Sequence, residues 1–85
     1  MSYTLYIVCC ADGTLYTGIA TDVERRLAQH NGAKRNGARY TAARRPVRLV
    51  YSVPYPTRSA ALVAEARVKR LSRAEKQKLI EASGA

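Results

Sequence analysis

The stretch Thr4-Leu5-Tyr6-Ile7-Val8-Cys9-Cys10-Ala11-Asp12-Gly13-Thr14-Leu15-Tyr16-Thr17-Gly18-Ile19-Ala20 decides the fold. Thr4 to Cys10 and Leu15 to Ala20 are rich in β-branched and aromatic residues, which suit a pleated, half-buried surface, and Asp12-Gly13 between them carries turn chemistry. The two runs therefore form a hairpin, and its loop length sets which residues face each other. A two-residue Asp12-Gly13 loop would put Tyr6 and Tyr16 on opposite faces of the sheet. A three-residue Ala11-Asp12-Gly13 loop, with Gly13 left-handed, puts Tyr16 opposite Val8 and Tyr6 opposite Gly18. The two tyrosines are then diagonal neighbours on one face, their backbones ~7–8 Å apart. We favour this second register.

Beyond the hairpin, Thr21-Asp-Val-Glu24 has the spacing of a capping box, and Val23, Leu27 and His30 follow at helical intervals up to Asn31-Gly32. Lys34 to Pro46 is basic and rich in Gly and Ala, and reads as a loop with room for a helical turn around Tyr40 to Ala43. Val47 to Val53 alternates as a third strand, ended by Pro54 and Pro56. Thr57 caps a helix running to about Arg70, and Ser72-Arg-Ala-Glu75 is a second capping box, opening a last helix through Ile80. The order β-β-α-β-α-α makes a small α/β (α+β) domain, its three-stranded sheet mostly antiparallel and flanked by helices.

With 85 residues the chain is one domain, residues 1–85, with a modest core and no room for a bulky enclosed cofactor. Cys9 and Cys10 are adjacent in a strand and point to opposite faces, so a structural disulfide or a metal site is not expected and a cytoplasmic location is. The apolar run Leu5 to Ala11 is too short for a membrane span and lacks the basic flank of a signal peptide. Lys and Arg number 15 against 6 Asp and Glu, a net charge of +9. Between Glu24 and Glu75 there are 13 basic residues and a single acid, Glu65. Such a field attracts polyanions, and Arg25, Lys34, Arg35, Arg39, Arg44, Arg45 and Lys69 are candidates to contact a nucleic-acid backbone. No stretch pairs an amphipathic helix with bulky aromatics, which counts against a membrane-surface role.

Arg26 and His30 are an i, i+4 pair beside the apolar stripe of the first helix. On the helix after Thr57, Glu65 falls at the edge of the stripe Ala60, Ala61, Ala64, Val68 and Leu71. It serves there either as an i, i+4 ion-pair partner of Lys69 or as a site carboxylate. Tyr6, then Tyr16-Thr17-Gly18, Arg26, His30 and the lone downstream Glu65 together resemble the GIY-YIG nuclease superfamily. The resemblance extends to small single-domain, stand-alone bacterial members, whose Leu-Ser-Arg-x-Glu-Lys tail recurs as Leu71 to Lys76. Thr4-Leu5 replaces the Gly-Ile of the first signature. Ile19 stands where excision-repair members carry a lysine, and the last helix has no matching asparagine.

The resemblance implies a divalent-metal phosphodiesterase acting on nucleic acid, DNA before RNA, with no small-molecule cofactor. In it, Glu65 would hold Mg²⁺ or Mn²⁺ and Arg26 would steady the phosphate by a bidentate contact. Tyr6 would act as general base or proton relay, with Tyr16 and His30 orienting the attacking water or sharing its proton. Gly18, opposite Tyr6, would leave room for the phosphate to approach. The other readings of the same charge are a nucleic-acid-binding module with little or no turnover and a protein that meets an acidic partner.

Overall fold

The computed structural model describes residues 2–31 and 45–83. Two strands, β1 (Tyr3–Cys9) and β2 (Leu15–Ala20), lead into helix α1 (Val23–His30), then strand β3 (Arg48–Tyr55), helix α2 (Arg58–Lys69) and helix α3 (Arg73–Ser83). The sheet order is β2-β1-β3, antiparallel throughout, so the most apolar strand lies in the middle. That position buries Leu5, Tyr6, Ile7 and Val8 on two faces at once.

The hairpin takes the three-residue loop. Gly13 has φ +86 and donates its N–H to the Cys10 carbonyl, while Cys10 N–H donates to the Thr14 carbonyl. A side chain at position 13 would be strained in this left-handed turn. Tyr6 consequently pairs with Gly18 and Val8 with Tyr16. The β1–β3 pairing shifts by one residue between Ile7 and Val8, a bulge that leaves Val50 extra between Leu49 and Tyr51.

Alternation divides the core in two. Tyr6, Val8, Cys10 and Val47 pack with Tyr16, Val23 and Leu27 under α1. Leu5, Ile7 and Val68 pack on the other face with Leu15, Ile19, Ala64, Leu79 and Ile80 under α2 and α3. Thr17 shares this second face, and its Oγ1 is buried with no hydrogen-bond partner among the described residues. Thr17→Val keeps the shape and removes the stranded hydroxyl, so it should raise stability by ~1–2 kcal/mol, read as a higher urea midpoint at unchanged slope.

Several boundaries differ from the sequence reading: β1 is Tyr3–Cys9 rather than Thr4 to Cys10, and β3 starts at Arg48 rather than Val47. The cap of α1 is Asp22, one residue later than Thr21: its carboxylate accepts the Arg25 N–H at 3.1 Å, a favourable charge at a helix N-terminus. β3 runs through Pro54 to Tyr55, because an edge strand tolerates a proline whose nitrogen faces away from the ladder. The last helix continues past Ile80 to Ser83. The other caps form as expected. Thr57 Oγ1 accepts from Ala60 N–H, and Ser72 and Glu75 exchange reciprocal bonds of 2.8 and 3.2 Å. The expected turn around Tyr40 to Ala43 lies outside the described residues.

Candidate active site

Tyr6 projects from the central strand toward α1 because its register partner is a glycine. A Cβ built on Gly18 would lie 2.6 Å from the Tyr6 Oη and 2.8 Å from Cζ, so the tyrosine ring fills the space that a side chain would take. The opening at Gly18 thus serves the phenol before it serves any phosphate. Gly18→Ala should displace the ring, lowering stability by ~1–3 kcal/mol as over-packing does. Parallel urea melts and cleavage assays on this variant check both losses.

The phenol meets His30 at the end of α1. The Tyr6 Oη and His30 Nε2 are 2.9 Å apart, and the Tyr16 and His30 rings are edge-to-face with centroids 5.2 Å apart. His30 is 0% exposed and Tyr6 2%. Burial pushes the His30 pKa below its ordinary value, and the Arg26 and Arg45 charges push the same way. Burial also pushes the Tyr6 phenol up, more than hydrogen bonding and charge from Arg26 pull it down, and Tyr16 and Glu65 add to the rise. Both groups are therefore neutral near pH 7. Because the Arg26 guanidinium donates to the phenol oxygen, the Tyr6 O–H is assigned as donor to Nε2 of the Nδ1-protonated tautomer.

This arrangement has a pH signature. The unfolded chain protonates His30 below about pH 6.5, whereas the folded chain holds it neutral to lower pH, so the unfolded state binds more protons in that window. The contribution of His30 is complete above pH 6.5 and is lost as the pH falls toward the lowered folded value. Urea midpoints at pH 8 and pH 5 should fall further for the wild type than for His30→Gln.

Arg26 lies one turn before His30 and acts on the Tyr6 phenol by hydrogen bond and charge. Its Nη1 also donates to Gln29 Oε1 at 3.0 Å. Glu65 on α2 is close enough to bias the same phenol. One of its oxygens is 3.4 Å from Lys69 Nζ, the side chains being 18% and 54% exposed, so the ion pair forms as well. Tyr6 and Tyr16 thus meet at His30, Arg26 acts on the Tyr6 phenol, and Glu65 reaches that phenol by charge. Residues 2–79 match the GIY-YIG catalytic domain family.

The chain belongs to the GIY-YIG family.

Among GIY-YIG relatives, a UPF0213 protein of Desulfotalea psychrophila is 50% identical over 82 residues, covering 96% of this chain and 74% of its own length. One from Staphylococcus saprophyticus is 51% identical over 76 residues, covering 89% of this chain and 90% of its own. The solution NMR structure of the UPF0213 protein from Bacillus halodurans has a TM-score of 0.65 at 42% identity, covering 100% of this chain and 88% of that one. The shared β-β-α-β-α-α order is therefore the GIY-YIG architecture.

GIY-YIG nucleases generally use a divalent metal. Among the described residues no three His, Cys, Asp or Glu side chains cluster to cage an ion. A single half-buried carboxylate nevertheless fits Mg²⁺, which keeps several waters and takes one or two protein oxygens plus substrate phosphate. Glu65 is the residue that would hold it.

Other sequence candidates have structural duties. Arg45 donates Nε to the His30 carbonyl at 2.7 Å, and Lys69 faces Glu65. Arg25 is exposed beside Arg26 on an open cleft of about 270 Å³. Lys34, Arg35, Arg39 and Arg44 lie outside the described residues. The sequence marks Asn31 only as a helix stop, but its side-chain amide accepts from Val47 N–H at 2.7 Å and donates to the Val47 carbonyl at 3.0 Å. That clamp fixes the end of α1, and with it His30, against the start of β3. The placement of Asn at a helix end was its one sequence signal. Among the described residues no helix is long and apolar enough to cross a membrane.

Proposed function

We propose that the protein is a divalent-metal-dependent endonuclease that hydrolyses phosphodiesters in DNA, and that it resides in the cytoplasm, where Cys9 and Cys10 stay free thiols. The observation that carries the reading is the buried Tyr6–His30 hydrogen bond, whose phenol Arg26 reaches by hydrogen bond and charge and Glu65 by charge alone. A neutral phenol is a poor base alone. Coupled to a neutral imidazole it becomes a relay: as Tyr6 Oη takes a proton from the attacking water, it passes its own to His30 Nε2. His30 has no surface of its own and so works only through Tyr6.

Arg26 is suited to grip phosphate oxygens as a planar fork, and its charge steadies negative charge growing on both the phosphate and the phenol. Tyr16 packs its ring on His30 and holds the imidazole's orientation. A divalent metal on Glu65, when bound, supplies further neutralisation of the transition-state charge and of the leaving oxygen. The basic face, including Arg25, supplies backbone contacts that read shape more than sequence.

One observation favours a second reading, a nucleic-acid-binding module with little or no turnover: Lys69 already pairs with Glu65. A cleavage assay separates the two. Plasmid, single-stranded, branched and RNA substrates are incubated with Mg²⁺ or Mn²⁺, with and without chelator, while binding is followed in parallel. Metal-dependent nicking that tracks the purified protein supports the nuclease, and salt-sensitive binding with no nicking supports the module.

A further inference from the structure

We propose that Gln29 is a positioning residue for Arg26, holding the guanidinium where it can serve both the Tyr6 phenol and a substrate phosphate. The inference rests on the nuclease reading above. Arg26 and Gln29 are i, i+3 neighbours on α1, and the Arg26 Nη1 donates to the Gln29 Oε1 at 3.0 Å in a half-buried setting. An arginine on a short surface helix samples many rotamers, and each must be given up when phosphate binds. A partner that orders the fork beforehand removes that cost from the reaction.

The chemistry of the partner is specific to the task. An amide carbonyl accepts a hydrogen bond without carrying charge, so it anchors the guanidinium and leaves its positive charge for the phosphate. The aspartate nearby, Asp22, is already engaged at the helix N-terminus by the Arg25 N–H. Gln29 and Arg26 also line one open cleft with Ile19, Ala20 and Arg25, so the ordered fork stands where a strand can reach it. Asp22 and Thr21 form the rest of the cleft rim.

The test is a double-mutant cycle with the full chain, reading kcat and KM for metal-dependent cleavage of the best DNA substrate, together with the Arg26 side-chain signals in ¹⁵N-labelled protein. Gln29→Met keeps the length and volume and removes the acceptor. It should lower kcat about tenfold, as misplacement of a catalytic group does, with a smaller change in KM and an unchanged thermal midpoint. In an Arg26→Ala background the same substitution should have no further effect, because the residue it positions is gone. The Arg26 Nη signals should sharpen into fast rotation in Gln29→Met.

Equal kcat for Gln29→Met and wild type, or an undiminished effect of the substitution on top of Arg26→Ala, overturns the inference and leaves the nuclease reading intact. If the wild type itself does not cleave, the nuclease reading fails, and unchanged Arg26 signals in Gln29→Met would reject the positioning contact independently of activity.

Discussion

Tyr6→Phe is expected to lower the cleavage rate by about 10²–10⁴-fold and to cost ~1–3 kcal/mol of folding stability. The two effects have one cause. The hydroxyl is both the group that would take the water proton and a hydrogen-bond partner of a fully buried imidazole. Removing it leaves His30 Nε2 without its hydrogen bond in a place where water does not reach. Single-turnover cleavage and urea melts, measured on the same preparation, check both. A variant as stable as the wild type would mean that the 2.9 Å contact contributes little, and one as active would remove the tyrosine from the chemistry.

Glu65→Gln is expected to separate activity from stability instead. Its ion pair with Lys69 is solvent-exposed on the lysine side, and such i, i+4 pairs contribute only ~0.3–0.5 kcal/mol. Folding should hardly change. Loss of the carboxylate that would hold the metal should reduce cleavage by about 10²–10³-fold, the order seen when a single group stabilising transition-state charge is deleted. Binding of DNA at fixed salt should persist, because the basic residues are untouched, and the lost negative charge even favours it slightly. Gel-shift and nicking assays run together give the two numbers. Retained nicking would transfer the metal role away from Glu65 and favour its purely structural pairing with Lys69.

What the sequence made legible was local or periodic. The loop Ala11-Asp12-Gly13 determines the hairpin register, the register determines that Tyr6 faces Gly18, and Thr57 and Ser72 announce their helices by side-chain chemistry within one turn. What it concealed depends on contacts between elements. Nothing in the spacing of His30 distinguishes a helix-end residue from one fully buried against two tyrosines, because that depends on how α1 settles on the sheet. Gln29 carries no motif, and Asn31 carries only that of a helix stop. Their roles appear only once Arg26 and Val47 are in place beside them. Glu65 was ambiguous between ion pair and site residue, and the structure realises the ion pair while keeping the carboxylate near Tyr6.

The double clamp at the base of α1 has a consequence for how this chain closes on itself. Asn31 is bonded to Val47 and Arg45 to His30, so the points where the chain leaves α1 and returns toward β3 are fastened to each other. Residues 32–44 are spliced between two fixed anchors, and four of the basic residues, Lys34, Arg35, Arg39 and Arg44, belong to that insert. Because Asn31 and Arg45 are fastened, the closure cost of joining them would grow only slowly with the number of residues between them. The Tyr6–His30 contact, one residue before Asn31, is thereby held at the point where the chain is fastened to itself.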